Sequence, residues 1–447
     1  MLDHRRPALG EQLAAALREA IADGRLGAGT RLPASRDLAA ELGVSRGVVV
    51  GAYEQLLAEG RLTARHGSGT FVATGTAAPP APPAPAKRTP AVALRPGIPD
   101  LGQFPRQAWR RAYESALRAA ADSDLDYGDP AGAPRLRAEL AGYLVRVRAA
   151  RVEPAGLLVT SGAAQALALL AAVLRARGAT RIGVEDPGSP AIREHLVAAG
   201  LRPVPVPVDA HGLDVAALSR GRLGAVVVTP AHQFPTGVVL SPRRRTALIA
   251  WAGRTGGLIV EDDYDAEFRY DRDPVGCLQG MATQSVALVG SVSKALAPAL
   301  RLGWLAGPAG LMAELAAAKS AADNGGPVLE QLAFAHLLAS GGYDRHLRTV
   351  RRLYRARRDV AVTAIAEHLP GATVTGVAAG MHLLVTLPAG VDDVALAGRA
   401  AAQGIGALAL SSTRVGVPGP PGLAIGYAAV PPDRLRDAVA AIGRLLR

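Results

Sequence analysis

The stretch SVALVGSVSKALAPALRLGWLAG, residues 285–307, places one lysine, Lys294, between a hydrophobic run and a second apolar segment. Lys87, Lys294 and Lys319 are the only lysines among 50 basic residues, and the others are arginines. Because a guanidinium stays protonated and cannot form a Schiff base, a lysine at this position suggests that the primary amine itself is needed. A lysine present by chance, or with its charge held in solvent, is the alternative, and the neighbouring motifs decide between them.

The bulk composition is that of a globular chain with more than one domain. The chain has 447 residues, 49% hydrophobic and 20% charged, and this length favours two or three domains. A single cysteine, Cys277, excludes an internal disulfide and fits a reducing compartment. The longest apolar run, ALALLAAVL (166–174), is too short to span a membrane, and the amino terminus lacks the apolar region of a signal peptide. We therefore expect a cytoplasmic protein.

A proline- and alanine-rich tract divides the chain. The segment GTAAPPAPPAPAKRTP (75–90) cannot build a hydrophobic core and favours extended polyproline conformation. We predict a first domain at 1–74, a linker at 75–92 and a large domain at 93–447. The net charge is +12, but arginines and acids almost balance in the first domain, so charge alone is weak evidence for a nucleic-acid partner.

The first domain has the pattern of three helices and a hairpin. Helical spacing predicts helices at LGEQLAAALREAIADG (9–24), SRDLAAELG (35–43) and SRGVVVGAYEQLLAEG (45–60), and RLTARHGSGTFVA (61–73) predicts two strands around a glycine-rich turn. The second and third helices each begin with a serine suited to capping and end at a glycine, with a very short turn between them. This order is typical of a helix-turn-helix followed by a wing.

Residues 29–73 resemble the winged helix-turn-helix of GntR-type bacterial regulators over nearly the whole motif. The resemblance implies that double-stranded operator DNA is contacted by Arg31, Ser35, Arg36, Ser45, Arg46, Arg65, His66 and Gly67. A recognition helix beginning at Ser45 would present its first turn to base edges, while arginines hold phosphates. For any single arginine, a solvated surface charge is the alternative. Ala34 and the segment SRGVV (45–49) depart from the usual family pattern, so no base preference carries over.

The large domain alternates hydrophobic β-rich runs with helical stretches from residue 156 onward. This order predicts an α/β fold with a mostly parallel sheet, in which ligands bind at the carboxyl ends of the strands. In LLVTSGAAQALALLAAVL (157–174), a strand leads into a helix whose free N–H groups suit a phosphate, although many such turns look alike. In GGLIVEDDYDAEF (256–268), a strand ends in three acids, which suggests a protonated pyridine as partner, a metal site or a solvated strand end.

The opening stretch adds further phosphate ligands beside its lysine. Ser291 and Ser293 supply hydroxyls and Arg301 supplies a guanidinium, while the amine of Lys294 can condense with an aldehyde. A phosphate cradle, an acid for a pyridinium and a Schiff-base lysine together predict pyridoxal 5′-phosphate (PLP) as the cofactor.

Residues 94–446 resemble a fold-type I aminotransferase, and the two-domain order resembles the MocR/GabR family of PLP-binding transcription regulators. Besides the motifs above, the resemblance rests on YGDPAGAPRLRAELAGYL (127–144), EDPGSP (185–190), TPAHQFPTG (229–237) and GMHLLVTLP (380–388), which lie in the expected order. The implied fold class is a winged helix-turn-helix domain followed by an α/β PLP-dependent transferase domain.

The resemblance also implies a role for each site residue, and it implies no metal site. Lys294 would hold PLP as the internal aldimine, Asp262 would pair with the pyridine nitrogen, and Tyr264 would bond the ring phenolate. The phosphate would be held by Gly162, Ala163, Ala164, Ser291, Ser293 and Arg301. Arg193 matches an effector-binding position of the GABA-responsive members, although a surface arginine is an equal alternative. Arg414 is a second candidate for the effector.

Three positions depart from the aminotransferase pattern on the catalytic or substrate side. Ser189 stands where relatives usually carry tyrosine, Phe234 stands where aminotransferases have asparagine, and Ala424 stands where they have the arginine that clamps the substrate carboxylate. The Schiff-base lysine and its acid are retained. This combination favours a sensor over an efficient enzyme.

We therefore predict a PLP-dependent, DNA-binding transcription regulator that senses PLP or a small amine through aldimine chemistry at Lys294. The resemblance implies a homodimer packed head to tail. Two alternatives remain open: an aminotransferase with a vestigial DNA-binding domain, and a winged-helix repressor whose large domain no longer binds PLP.

Overall fold

The computed structural model describes residues 9–65, 68–74, 92, 94–220, 223–270, 275–376, 378–416 and 418–446. The chain forms two compact units, one within residues 1–88 and one within residues 89–447. Of the residues predicted to contact DNA, His66 and Gly67 lie outside the described ranges, as does the predicted linker apart from residue 92.

The small unit contains three helices and a two-stranded antiparallel sheet. Its elements are α1 (Leu9–Ala22), α2 (Ser35–Leu42), α3 (Arg46–Ala58), β1 (Leu62–Arg65) and β2 (Gly69–Val72). Gly43, with a φ of 64°, ends α2 in the left-handed conformation and lets the chain turn directly into α3. The predicted helix-turn-helix and wing are confirmed, but Ser35 is not a cap: it is the first helical residue, and Ala34 precedes it.

The core of the small unit joins its first and third helices. Val49 and Leu56 of α3 are fully buried and belong to the same cluster as Leu13 and Ile21 of α1. The Tyr53 hydroxyl donates a hydrogen bond to the Pro33 carbonyl at 2.9 Å, which ties α3 to the residues that lead into α2. These contacts hold α3, the helix that is predicted to read DNA, against the rest of the small unit.

The large unit has ten helices among its described residues and two sheets. The helices are α4 (Arg106–Ala119), α5 (Pro134–Arg148), α6 (Ala163–Ala176), α7 (Pro190–Ala198), α8 (Pro242–Thr255), α9 (Ala309–Asp323), α10 (Val328–Ala339), α11 (Gly342–His368), α12 (Asp393–Ala402) and α13 (Pro432–Leu446). None of the helices in the described ranges is both long and apolar enough to cross a membrane.

The larger sheet has eight strands in the order β3-β10-β9-β8-β7-β4-β5-β6. Its strands are β3 (Leu157–Thr160), β4 (Arg181–Asp186), β5 (Arg202–Asp209), β6 (Gly212–Leu213), β7 (Ala225–Val228), β8 (Leu258–Asp263), β9 (Val286–Ser291) and β10 (Gly303–Ala306). Neighbouring strands from β9 through β5 are parallel, whereas β10 runs antiparallel to both β9 and β3. The predicted mostly parallel sheet is confirmed.

The smaller sheet is antiparallel, with the order β11-β12-β14-β13. Its strands are β11 (Thr373–Thr375), β12 (His382–Thr386), β13 (Leu408–Ala409) and β14 (Gly422–Gly426). Ala424 pairs with Leu384 across this sheet and is fully buried.

The register of the large sheet determines where its polar residues meet. Strands β7 and β9 are buried along their whole length, as expected for parallel strands covered on both faces. Asp262 of β8 is paired in register with Val289 of β9, and Glu261 is paired with Val228 of β7. The carboxyl ends of the three strands therefore lie side by side at one edge of the sheet.

Candidate cofactor and DNA-binding sites

A cavity of about 630 Å³ lies at that edge of the sheet. Its lining includes eight of the nine residues predicted to bind PLP: Ala163, Ala164, Asp262, Tyr264, Ser291, Ser293, Lys294 and Arg301. The ninth, Gly162, immediately precedes α6 and contacts Arg301. The volume lies within the usual range of about 300–1,000 Å³ for small-ligand pockets. Predicted cofactor ligands that are up to 138 positions apart in sequence (163 to 301) thus meet around one cavity.

One end of the cavity suits an anion. Helix α6 begins at Ala163, so its first backbone N–H groups are free to bind a negatively charged group. The Arg301 guanidinium donates a hydrogen bond to the Ser161 carbonyl. Gly162 has a φ of 88°, and a Cβ at this position would lie 3.1 Å from an Arg301 nitrogen. Glycine is therefore needed for both the backbone conformation and the approach of the guanidinium.

The three acids at the end of β8 have different surroundings. Glu261 accepts hydrogen bonds from the backbone N–H groups of Leu278 and Gln279 at 3.0 and 3.1 Å. Asp263 forms a two-pronged ion pair with the buried Arg148, at 2.7 and 2.9 Å. Two of the three consecutive acids, Glu261 and Asp263, therefore have hydrogen-bonding partners within the protein.

Asp262 is the acid that faces the cavity. No described residue donates a hydrogen bond to its carboxylate. Burial raises the pKa of Asp262 to about 7; the charge of Asp263 adds to this effect and that of Lys294 opposes it. A cationic ring nitrogen facing Asp262 would supply the partner that the protein does not, because it favours the charged carboxylate.

The amine of Lys294 lines the same cavity as the anion-binding features. A Cβ at Gly97 would lie 3.4 Å from Nζ, so the absence of a side chain there leaves room for the amine. Burial lowers the pKa of Lys294, although the charges of Asp262 and Asp265 oppose the shift. A lowered pKa increases the share of the neutral amine, which is the form that attacks a carbonyl.

Tyr264 is held by a residue that sequence reasoning did not identify. Its hydroxyl lies 3.0 Å from Nδ1 of His232, and the same nitrogen lies 2.9 Å from Oδ2 of Asp265. Burial, reinforced by the negative charge of Asp265, raises the pKa of Tyr264 well above its ordinary value. Tyr264 therefore keeps its proton and can act as a hydrogen-bond donor at the cavity wall.

The departures from the aminotransferase pattern have visible structural consequences. Phe234 and Ser189 both line the cavity, and the Ser189 side chain accepts a hydrogen bond from the Ile192 N–H at the start of α7. Ala424 is buried within the smaller sheet and is not part of the lining. The cavity thus has neither an asparagine nor a carboxylate-binding arginine at these positions.

The two arginines predicted to bind an effector are not among the residues that line the cavity. Nη1 of Arg193 donates hydrogen bonds to the carbonyls of Gly188 and Thr413 at 3.0 and 2.9 Å. Arg414 donates to the Pro420 carbonyl at 2.9 Å. Both guanidiniums bind backbone in this structure.

Sequence reasoning missed a third arginine, Arg95, which lines the cavity two residues before Gly97. Its guanidinium is exposed and has no hydrogen bond or ion pair with any described side chain. The only sequence signal was its position in LRPG (94–97), ahead of a glycine whose contact with Lys294 becomes visible only in three dimensions.

In the small unit, four arginines predicted to contact DNA are exposed. Arg31, Arg36, Arg46 and Arg65 form no ion pair within the described part of the chain. By contrast, Arg18 pairs with Glu59 at 2.6 Å and Arg25 pairs with Asp23 at 2.7 Å. The arginines left without a carboxylate are thus the ones that the DNA-binding motif singles out.

Arg36 and Arg46 lie in the first turns of the two motif helices, Arg65 lies on the wing, and Arg31 precedes α2 and pairs with Phe71 of the wing. Nε of Arg46 donates to the Ser35 hydroxyl at 3.4 Å, which joins the first turns of α2 and α3. Ser45 occupies the cap position of α3, but its side chain forms no capping hydrogen bond. The Arg65 guanidinium lies 5.1 Å from the centre of the Phe71 ring on the neighbouring strand.

Comparison with known proteins gives matches over both units. The family model for bacterial regulatory proteins of the gntR family matches residues 9–72, and the model for aminotransferase class I and II matches residues 92–442. The chain is 35% identical to the HTH-type pyridoxine biosynthesis transcriptional regulator PdxR of Corynebacterium glutamicum, over 98% of this chain and 96% of the relative. It is 33% identical to the probable rhizopine catabolism regulatory protein MocR of Rhizobium meliloti, over 96% and 92% of the two chains.

A solved structure gives the corresponding match for the large unit. LysN, an alpha-aminoadipate aminotransferase from Thermus thermophilus complexed with N-(5′-phosphopyridoxyl)-L-leucine, is 26% identical, with a TM-score of 0.71. The match covers 79% of this chain and 92% of that chain. Together, the comparisons confirm the predicted fold class and support PLP as the cofactor.

Proposed function

Because the chain belongs to the MocR/GabR-type family of transcription regulators, which join a GntR-type DNA-binding domain to an aminotransferase-like domain, we propose that it binds operator DNA in a manner controlled by PLP and an amine. One observation carries the cofactor part of this proposal. A lysine amine, an acid without a protein donor and an anion-binding helix start face the same cavity of about 630 Å³.

PLP would supply an aldehyde that condenses with primary amines. In this proposal, Lys294 provides the amine, Asp262 faces the pyridine nitrogen, and Tyr264 donates a hydrogen bond to the ring oxygen. The phosphate is held by the backbone N–H groups at Gly162, Ala163 and Ala164, by the hydroxyls of Ser291 and Ser293, and by Arg301. The residue types fit the group, since each polar part of PLP meets a protein group of complementary charge or hydrogen-bonding capacity.

The proposed role is sensing rather than sustained turnover. Phe234 stands where an aminotransferase has a ligand of the cofactor's ring oxygen, and Ala424 stands where it has the arginine that clamps the substrate carboxylate. An amine effector that competes with Lys294 for the cofactor would shift the equilibrium between two arrangements of the protein. The shift can be no larger than the difference in the effector's affinity for the two arrangements.

A direct test of the function couples the two sites. An operator sequence is first selected from a random DNA pool with the purified protein, and its affinity is then measured with and without PLP and a panel of amines. We expect the affinity to change with PLP and with at least one amine. Steady turnover of an amino acid and keto acid pair without sequence-selective DNA binding would instead favour an aminotransferase with a vestigial DNA-binding domain.

Arg95 is expected to recognise the acidic end of an effector that carries a carboxylate. Changing Arg95 to Gln should weaken the binding of such amines by about tenfold or more, because a charge-assisted hydrogen bond contributes roughly 1.5–3 kcal/mol. Amines without a carboxylate should bind as before. Perturbation of the cofactor's absorption spectrum by each amine measures both affinities.

Arg193→Gln and Arg414→Gln serve as matched variants in the same titration. Both residues remain predicted effector ligands, but their backbone hydrogen bonds lead us to expect smaller effects than for Arg95. If Arg193→Gln loses the carboxylate-bearing amines while Arg95→Gln retains them, the effector is held as the family resemblance implies. The same result for Arg414→Gln would identify Arg414 as the effector ligand.

A homodimer is also part of the proposal, in the head-to-tail form that the resemblance implies. Leu117 on α4 and the following residues Leu125 and Tyr127 expose 54%, 59% and 86% of their surface. Leu125 and Tyr127 also line a second cavity, of about 830 Å³. Three exposed large apolar side chains within residues 117–127, called the 117–127 patch, support a contact with a second copy, because monomers rarely leave large apolar patches uncovered.

Placing charges in this patch is expected to separate the dimer. The double change Leu117→Asp and Leu125→Asp should raise the dimer dissociation constant at least about tenfold, since buried interface positions dominate binding energy. Val394→Asp is the matched control, because Val394 is similarly exposed, at 54%, but lies on α12. Light scattering after gel filtration measures the mass; a wild-type protein that remains monomeric at working concentration would contradict the dimer.

A further inference from the structure

Three buried polar side chains lie behind Tyr264 and have no part in the proposed function so far. His232 follows β7, Asp265 follows β8, and His382 begins β12. The side chains of His232 and Asp265 are each 1% exposed, and His382 is fully buried. One ring nitrogen of each histidine and one carboxylate oxygen of Asp265 all lie within 4.8 Å of one another. Burying three such groups together is costly unless they satisfy one another or serve the site.

The contact between His232 and Asp265 fixes the position of one proton. Nδ1 of His232 lies 2.9 Å from Oδ2 of Asp265, and this geometry suits a ring N–H that donates to a carboxylate oxygen. The proton therefore resides on Nδ1 and is donated to Asp265. With its proton on this nitrogen, His232 cannot accept a hydrogen bond from the Tyr264 hydroxyl, 3.0 Å away. The Tyr264 proton is left for the Asp265 carboxylate or for an oxygen of a ligand in the cavity.

The ring of His232 packs against two glycines. A Cβ at Gly380 would lie only 2.0 Å from Cε1 of the ring, and a Cβ at Gly237 would lie 3.2 Å from Nε2. Both glycines also have positive φ values, of 82° and 72°. A side chain at Gly380 would occupy the place of the ring, so glycine is needed there for the His232 N–H to reach Asp265 and Tyr264.

The far side of the cluster consists of two imidazole nitrogens without partners. Nε2 of His232 and Nδ1 of His382 are buried and form no hydrogen bond with the described residues. Nε2 of His382 lies 3.2 Å from the Pro235 carbonyl, which places its proton on Nε2. Burial, assisted by the neighbouring His232, lowers the pKa of His382 to about 3, so that this residue is neutral. The two rings are 5.0 Å apart between centres.

These contacts favour a role in positioning over a metal site. Nε2 of His232 and Nδ1 of His382 have lone pairs that no described residue engages, but the third candidate ligand, the Asp265 carboxylate, already accepts the Nδ1–H of His232. Because Asp265 already accepts the N–H of His232, its carboxylate competes less strongly for the Tyr264 proton. Without His232, the Asp265 carboxylate would lose this N–H and would compete for the Tyr264 proton.

We propose that His232 is a positioning residue that acts through Tyr264: by donating to Asp265 it leaves the Tyr264 proton free for the ring oxygen of bound PLP. This inference rests on the proposed binding of PLP. The cluster of His232, Asp265 and His382 thereby determines how strongly the protein stabilises negative charge on that oxygen.

The test is a pH titration of the visible absorption band of the full-length protein loaded with PLP. Tyr264→Phe and His232→Ala should each move the titration midpoint upward by about one pH unit, the size expected for one lost hydrogen bond. The direction follows because an oxygen that loses its donor holds negative charge less well, and the chromophore then keeps its proton to higher pH. His232→Asn should shift the midpoint less than His232→Ala, since the amide can still donate to Asp265.

The double variant of His232→Ala and Tyr264→Phe decides whether His232 acts through Tyr264. The inference expects a shift no larger than that of Tyr264→Phe alone, whereas independent effects would add. His232→Leu fills similar space without a donor and replaces the alanine variant if that one does not fold. Thermal unfolding of each variant without PLP measures the purely structural cost.

The outcomes separate this inference from the proposed function. A wild-type protein that takes up no PLP contradicts the proposed function itself. Uptake of PLP with unchanged midpoints in the His232 variants, or with additive shifts in the double variant, overturns only the positioning role. One zinc ion per chain in the purified protein, lost in both His232→Ala and His382→Ala, would also overturn it and identify a metal site.

Discussion

Changing Lys294 to alanine is expected to abolish the visible absorption that PLP produces on binding to this protein. The methyl group of alanine has no amine to condense with the aldehyde, and no other lysine is among the residues that line the cavity. Lys294→Arg should fail equally, although it restores the positive charge, because a guanidinium does not deprotonate under these conditions. Absorption spectra recorded before and after addition of PLP measure the effect.

Two controls make the assignment specific to Lys294. Lys87→Ala changes a lysine of the proline-rich tract and should leave the band unchanged. Borohydride reduction of the PLP-loaded protein, followed by peptide mass spectrometry, should place the added mass on the peptide that contains Lys294. Mass on a peptide with Lys319 would show that the wrong lysine was chosen. A wild-type protein that stays colourless with PLP would favour the alternative in which the large domain no longer binds the cofactor.

The elements around Lys294 could be predicted because their signals are local. A strand, a short polar segment and a helix follow one another within 157–174, and the fully buried strands read as unbroken hydrophobic runs. The carboxyl ends of parallel strands meet at one edge, so motifs distant in sequence could be assigned to a common site. The alignment of Asp262 with the cavity follows from the same rule.

The partners of the acids beside Asp262 could not be predicted in this way. Arg148 reaches Asp263 across 115 residues, and Glu261 binds backbone N–H groups of a loop that carries no sequence signal. The contact of His232 with Tyr264 and Asp265 depends on the register of two adjacent strands and on glycines 380 and 237. Such contacts depend on packing between segments, to which periodicity and motif spacing are insensitive.

The arginines that would bind the effector could not be predicted reliably from the sequence either. The resemblance singled out Arg193, and Arg414 was a second candidate, but the structure has both donating to backbone carbonyls. Arg95 instead lines the cavity, from a segment whose sequence gives no reason to single out an arginine. A motif preserves the position of a residue, whereas the direction of a long side chain depends on the neighbours it meets.

Replacing Arg36 and Arg46 together by alanine is expected to lower operator affinity at least about a hundredfold, since each lost contact to a base or phosphate costs on the order of 1–3 kcal/mol. Arg36 lies in the first turn of α2 and Arg46 opens α3, the predicted recognition helix. Both guanidiniums are exposed, and no carboxylate within the described ranges pairs with either. An arginine without an acidic partner keeps its full charge for DNA, and because neither side chain is part of the core, the unfolding temperature should change little.

The salt dependence of binding distinguishes phosphate contacts from a general loss of affinity. Each phosphate contact that is removed should flatten the slope of log affinity against log salt by about 0.9, and a dimer carries every change twice. Arg25→Ala is the matched control: Arg25 is equally exposed in the same domain but already pairs with Asp23 at 2.7 Å, so its loss should leave both affinity and slope nearly unchanged. Fluorescence anisotropy with the selected operator, measured across a range of salt concentrations, gives both quantities. If Arg25→Ala weakens binding as much as the double variant does, net charge rather than the helix-turn-helix geometry holds the DNA.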